Sequence, residues 1–351
     1  MKTRAHLLTV LSLLTGVALF VYFVRQAGLE QLLARVRGIG WEFGLILLVS
    51  GLRPVARTYA WLRCMQADER RRVRFFNVWR ARVIGDAIGN LTTAGPVAAE
   101  PARLLFFGGG LPADVIAASL SAEFLTYVIS CCVMMLAGLL ILLGQYALSP
   151  QLRQISLALL AALSLILLAA ALTLRRRWSP AGMAHAALHR FVEHHHFRGW
   201  LDRQLRRLLR LEEYLFDFYQ QRPRDFLLVS LCEAVFHLLG VIEIYLTLRL
   251  IGAPRIGWDI AFIFEAVNRL INIAFAFVPV KVGVDEAGTG LLAEAMGMGT
   301  LPGVALAIYR KLRVLFWTAA GLLLLALALV QKGKRNEETH GNQHQPHNGH
   351  D

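Results

Sequence analysis

The sequence predicts an all-α polytopic membrane protein with six transmembrane helices and two opposed re-entrant helical hairpins in an inverted-repeat architecture. Composition is the first observation behind that reading. The 351 residues are 56% hydrophobic and 17% charged, with a mean hydropathy of +0.50, whereas ordinary globular chains run roughly 45–50% apolar and about 25% charged. A water-soluble fold this apolar would expose large hydrophobic patches. The second observation is that the apolar residues come in runs of bilayer-spanning length, about 18 residues or more. The third is that arginines fill the gaps between those runs.

The apolar runs are residues 7–24, 40–62, 114–143, 155–174, 226–250 and 303–330. The gap 63–82 holds seven arginines and the gap 175–224 holds eleven, with Lys332, Lys334 and Arg335 after the last run. The gaps 144–154 and 252–258 hold one arginine each. The positive-inside rule therefore predicts an inner-membrane protein with both termini and the basic gaps on the cytoplasmic side. Lys2 and Arg4 precede the first run, and Arg25 and Gln26 follow it where a cleavage site would need small residues, so an uncleaved first span is expected. The net charge of +13 and pI near 10.2 raise the possibility of a nucleic-acid partner. Placement excludes it: the expected partners are membrane lipids, with anionic headgroups at the basic cytoplasmic loops.

Two apolar stretches remain, 83–107 and 259–298, each broken near its middle by Pro and Gly and each carrying ionisable groups. A straight span through either would reverse the sidedness of everything downstream. A hairpin that enters and leaves on one side preserves it, and irregular backbone at membrane depth is tolerated where protein or a wet cavity covers it. The first hairpin is expected to enter from the cytoplasm and the second from the opposite face.

The two stretches also share an order of residues. The first reads Asp86-x3-Asn90, Pro96, Glu100, Gly108 to Gly110, then Leu111-Pro112; the second reads Asn268-x3-Asn272, Pro279, Glu286, Gly297 and Gly299, then Leu301-Pro302. This predicts a first repeat over about 40–174 and a second over about 225–330, within one membrane domain spanning 1–335. Between them, Leu201, Leu205, Leu208 and Leu211 recur at helical spacing among arginines. That pattern is an amphipathic helix, lying on the membrane surface or capping the spans. Residues 336–351, rich in His, Asn and Gly, read as a disordered polar tail.

Candidate binding residues follow from polar groups at membrane depth, where each ionised side chain costs about 2.5–3.5 kcal/mol even on the mildest scale. Asp86 and Asn90 share one helix face, with Gly85 and Gly89 beside them allowing close helix approach. Glu100 and Arg103, three apart, fit either a structural ion pair or headgroup contact. Glu265, Asn268, Arg269 and Asn272 form a polar stripe on an otherwise apolar helix. Lys281, Asp285 and Glu286 flank Gly283, and Lys281–Asp285 fits either a structural pair or a site. Glu123 lies eleven residues after Pro112 and Arg313 eleven after Pro302, making them counterparts of opposite charge, with Arg310 and Lys311 alongside. Pro96, Pro279 and Gly283 are the expected hairpin-forming residues. Glu233, His237 and Glu243 add polar groups to the fifth span.

No cofactor is expected. Glu233-x3-His237 lacks the second histidine of a zincin helix, His194 to His196 form a loop cluster, and the four cysteines show no C-x-x-C pair. P-loop, G-x-S-x-G and Rossmann fingerprints are also missing from the sequence.

The run IGDAIGNLTTAGPVAAEPARLL from Ile84, with EAVNRLINIAFAFVPVKVGVDEAG from Glu265, resembles the transmembrane region of lysylphosphatidylglycerol synthases. That region defines a wider flippase-like family, and the likeness is to its branch associated with hopanoid biosynthesis. The resemblance implies translocation of a polar-headed lipid, with hopanoid the favoured cargo, and points to Asn90, Pro96, Glu100 and Arg103, then Asn272, Pro279, Gly283 and Glu286. The full synthases carry a soluble aminoacyl-transferase domain after the membrane region, and a short tail follows here, so a translocase rather than an enzyme is expected. Ala98-Ala99 stand where many members carry glycines. Two rival readings remain: a membrane scaffold for lipid-synthesis proteins, and an intramembrane enzyme using Asp86, Glu100 and Glu286 in acid/base work.

Overall fold

In the computed structural model, residues 40–92, 95–108, 110–179, 182–183, 195–275 and 284–341 are described, and they form eleven helices with no strand among them. In chain order these are α1 (Glu42–Cys64), α2 (Ala67–Arg71), α3 (Phe75–Leu91), α4 (Pro96–Phe106), α5 (Ala113–Gln145), α6 (Pro150–Arg176), α7 (His195–Gln221), α8 (Pro223–Leu250), α9 (Trp258–Ala274), α10 (Val284–Ala295) and α11 (Thr300–Gly341).

Four helices are long and apolar enough to cross a membrane: α5, α6, α8 and the Thr300–Gln331 part of α11. They correspond to four of the expected runs, and the chain is a multi-pass membrane protein. The run 7–24 lies outside the described residues. The run 40–62 becomes α1, a 23-residue helix; Arg53 and Arg57 within it keep it outside the apolar class. The side chains of α6 explain why lipid must surround the bundle. Only Ser156 and Leu163 are buried there, while Leu165, Ile166 and Leu168 are more than half exposed, a face that water would not tolerate.

Lipid tails are as apolar as leucine, so helices associate in a membrane through close packing and polar contacts. Both are visible. Gly138 of α5 sits against Ala266 of α9 so closely that an added Cβ would come within 2.2 Å of the alanine methyl. Gly321 of α11 does the same against α3, where a Cβ would meet Ala87 at 2.6 Å and the Val83 carbonyl at 2.7 Å. The hairpin limb α3 thus leans on the last helix, and the limb α9 leans on α5, while α1 and α8 pack along each other at the centre. The order long helix, limb, short limb, long helix occurs twice, as α1, α3, α4, α5 and as α8, α9, α10, α11.

The gap 63–82 is not wholly loop. A capping box between Gln66 and Glu69 starts α2, and α3 begins at Phe75. Arg82 therefore moves from the expected cytoplasmic loop into the core, where it is 1% exposed. Within the first hairpin, α3 ends at Leu91 and Gly95 holds a φ of +45°, a left-handed conformation that a side chain would resist. Pro96 then opens α4 at its first turn, where its missing N–H costs nothing. The limbs run antiparallel: an added Cβ on Gly85 would meet Arg103 Cγ at 2.5 Å, and one on Gly89 would meet the Gly95 carbonyl at 3.1 Å. The two glycines let α3 and α4 touch.

The amphipathic segment forms α7, and its C-terminal half caps the spans. Phe218 is buried and clusters with Ala60, Cys64, Ala122 and Val229, while Leu208 stays half exposed. Tyr214 donates to the Cys64 carbonyl at 2.6 Å, and burial pushes its phenol above the ordinary value. The last helix, α11, continues to Gly341, through a stretch rich in the good helix formers Lys, Arg and Glu. Residues 342–351 lie outside the described residues.

Candidate functional site

Helices α1, α3, α4, α5, α8, α9, α10 and α11 line a cavity of about 510 Å³. Its wall is built from charged side chains that the packing brings together inside the bundle. From the first half come Arg53, Arg57, Arg82 and Arg103; from the second come Arg269, Arg310, Lys311 and Arg313. Three carboxylates share the wall, Asp86, Glu100 and Asp285.

Each half organises its cations in the same manner. In the first, Arg103 of α4 pairs with Asp86 of α3 and with Glu100 one turn before it. In the second, Arg310 of α11 donates through Nη1 to Asn268 of α9 at 2.8 Å and to Asp285 of α10 at 2.7 Å. Lys311 pairs with Glu286. A short limb is thus tied to its neighbours by a cation in both places. The Glu100–Arg103 pair is formed; Asp285 takes Arg310, and Lys281 lies outside the described residues together with Pro279 and Gly283.

Behind this wall stands a layer of buried carboxylates. Arg57 Nε donates to Glu123 at 2.8 Å, and Arg82 Nη2 lies 3.1 Å from the same oxygen. Glu233 is 3.7 Å from Arg57, with neither oxygen hydrogen-bonded among the described residues. Arg53 donates to Glu243 at 3.2 Å and to Glu265 at 3.0 Å, and Arg313 reaches Glu243 at 2.7 Å. Arg269 pairs with Glu265 one turn earlier and donates to Tyr127 at 3.1 Å. Aromatic faces complete the shielding: Arg57 lies 3.9 Å above the Tyr127 ring and Arg53 4.4 Å above Phe236, where a desolvated cation–π contact is worth about 2 kcal/mol. Burying such charges is tolerable only where opposite charges counter them, as they do here.

Among the residues singled out from sequence, Asp86, Asn90, Glu100, Arg103, Asn268, Arg269, Asn272, Asp285, Arg310 and Arg313 all reach the cavity wall, as does Gly89. Asn90 also donates to Thr318 at 3.1 Å, and Asn272 bonds back to Asn268. Glu123 and Glu265, at 0% and 2% exposure, do not line the wall; they stand behind it and hold the arginines. Glu286 acts through Lys311, and Gly85 makes room for Arg103.

Sequence reasoning missed Arg53, Arg57, Arg82, Tyr127 and Trp317. The signal for the first two was present: arginines at i and i+4 around Pro54, inside an apolar run, are the same intramembrane ionisable pattern that singled out Glu265 and Arg269. Arg82 was hidden by counting it with the loop arginines. Trp317, which donates to Ser50 at 2.8 Å, carries no sequence signature. Among the described residues no cluster of three metal-ligating side chains occurs.

A helical, multi-pass bundle with charged groups concentrated around an interior cavity defines the class of the protein as membrane-embedded. The family described as lysylphosphatidylglycerol synthase TM region matches residues 9–321, and the chain belongs to that family. Neither the curated proteins nor the solved structures gave a match.

Proposed function

We propose that the protein is an inner-membrane lipid transporter or flippase that carries a polar-headed lipid between leaflets, with hopanoid the cargo favoured by the branch it resembles. The observation that carries this reading is the cavity itself. Charged side chains from both halves converge on one space inside a bundle whose outer faces are apolar, which gives a polar headgroup a route that lipid tails deny it. Family membership supports a role in lipid synthesis or translocation.

In this reading α3–α4 and α9–α10 are re-entrant hairpins entering from opposite faces, six helices span, and both termini lie in the cytoplasm. The basic gaps then rest against anionic headgroups. Cysteines at Thr92 and Val282 should be labelled from opposite sides of the membrane; labelling from one side removes the opposed hairpins.

Transport itself is tested by reconstituting the full chain in vesicles and following leaflet exchange of labelled lipids. Acceleration over protein-free vesicles, lost in Glu100→Gln and Glu286→Gln, is the expected result. A scaffold for lipid-synthesis proteins would keep its partners in both variants and show no acceleration. The placement of Asp86 and Glu100 on the cavity wall favours the intramembrane enzyme as second reading, and a chemically altered lipid after incubation would establish it.

A further inference from the structure

Resting on this transport reading, we infer that Glu233 of α8 is a proton-binding site, with His237 one turn further on as its relay, and that proton movement through them drives the lipid step. Glu233 is 0% exposed, and neither of its carboxylate oxygens takes a hydrogen bond among the described residues. The other four buried carboxylates, Glu123, Glu243, Glu265 and Asp285, each accept one from an arginine. A buried charge without donors is costly. A proton relieves Glu233, whereas on the other four it would break an ion pair. His237 repeats the situation. The Ser130 hydroxyl donates to the Tyr127 carbonyl at 2.8 Å, so the Nε2–H of His237 donates to Ser130 at 3.0 Å. Its Nδ1 is then a buried acceptor with no partner. Two bare proton acceptors one turn apart on a membrane helix are the arrangement that proton relays use. The transfer moves a proton alone: taken from water, it forms an N–H bond at Nδ1 of His237, then an O–H bond at Glu233, and returns to water as that bond breaks.

Arg57 joins this site to the cavity. Its Nε lies 3.7 Å from Glu233 and 2.8 Å from Glu123, and its side chain lines the wall. A charged Glu233 competes with Glu123 for this guanidinium; once a proton neutralises it, Arg57 belongs to Glu123. One arginine with two acceptors is a two-state element that proton and cargo both bias. Tyr127 lines the wall as well and stacks on His237, with ring centroids 6.3 Å apart. The other charges acting on Glu233 are Glu123 of α5, Arg82 of α3 and Arg269 of α9, all of them paired. Arg313 of α11 is held by Glu243. Neutral titratable neighbours are Cys64 of α1, Cys131 of α5 and Cys232 beside it, while Tyr219 of α7 is bonded to Thr126. Within this set, Glu233 carries the charge whose removal strands no partner.

The test uses the full chain in vesicles of phosphatidylethanolamine and phosphatidylglycerol, with labelled hopanoid and labelled phosphatidylethanolamine as probes and a pH-sensitive dye inside. An imposed pH gradient should drive a labelled lipid into one leaflet, up to about tenfold per pH unit for one proton per lipid. Reversing the gradient should reverse the leaflet. Glu233→Gln should lose the accumulation, Glu233→Asp should keep part of it, and His237→Gln should slow the dye signal. Infrared difference spectra give a readout independent of transport: a protonated-carboxyl band on acidification of the wild type, missing from Glu233→Gln. Exchange without accumulation under either gradient overturns the proton coupling and leaves transport standing. Undiminished accumulation in Glu233→Gln overturns Glu233 as the site, and an unchanged dye signal in His237→Gln overturns the relay. No exchange of either probe, with the carboxyl band present, upholds the proton site and removes the transport reading; no exchange and no band overturns both.

Discussion

Glu123 of α5 and Arg313 of α11, each eleven residues after a Leu-Pro pair and of opposite charge, are each neutralised by another helix: Arg57 of α1 lies 2.7 Å from Glu123, and Glu243 of α8 lies 2.7 Å from Arg313. The two are not equally replaceable. Glu123 serves two arginines, whereas Glu243 keeps Arg53 if Arg313 is lost. Glu123→Gln should therefore cost about 3–5 kcal/mol, as when a buried pair loses one partner, and Arg313→Gln clearly less. Thermal unfolding in detergent measures both; a larger loss for Arg313→Gln would show that the carboxylate layer is not what balances the wall.

Close helix approach yields a second prediction. Gly138→Ala pushes a methyl into Ala266, and overpacking of this kind costs about 1–3 kcal/mol. Gly144, one and a half turns on, has nothing within 4 Å of an added Cβ, so Gly144→Ala should leave stability unchanged. The pair of melting temperatures reports on the α5–α9 contact alone.

Arg222 is the clamp at the C-terminal end of α1. It donates to the carbonyls of Arg63 at 2.8 Å, Cys64 at 2.9 Å and Met65 at 2.7 Å, and to Asp225, satisfying carbonyls that a helix end leaves open. Arg222→Lys loses the fork geometry and about 1.5–3 kcal/mol of charged hydrogen bonding. Hydrogen exchange over residues 62–66 should accelerate while exchange in α9 stays as it was.

Alkaline pH should loosen α7. Burial raises the phenols of Tyr214 and Tyr219 above their ordinary value of 10.0. A raised acid is protonated in the folded state at pH values where the unfolded chain has already lost its proton. Their contribution is therefore complete below pH 10 and declines as pH rises beyond it. The Tyr214→Phe, Tyr219→Phe double variant should show a shallower loss of stability above that point; an identical slope would remove the phenols as its cause.

Much of this arrangement was legible in the sequence. The stripe Glu265, Asn268, Arg269, Asn272 could be read because its spacing is helical and its neighbours are apolar, and the glycine, proline and asparagine order gave the two broken limbs. What stayed hidden has a physical reason. Hydropathy averages over a window, so Arg53 and Arg57 vanished into an apolar run. Arginine counting treats every basic residue in a gap as solvated, so Arg82 was assigned to water although α3 carries it inside. Which carboxylates face the cavity and which stand behind it depends on helix rotation, and a one-dimensional pattern does not fix rotation for helices polar on more than one side, as α8 shows with Glu233, His237 and Glu243 all buried.

The bond from Arg53 to partners 190 and 212 residues later in the chain also has a meaning for biogenesis. At ordinary elongation speeds roughly 10–40 s pass between synthesis of this arginine and arrival of its carboxylates. Arg57 meets Glu123 only 66 residues later, but for the whole of that interval the Arg53 guanidinium is bare and has no settled place in hydrocarbon. Nascent α1 must wait at the insertion machinery, or at the interface, until the second half emerges to claim it.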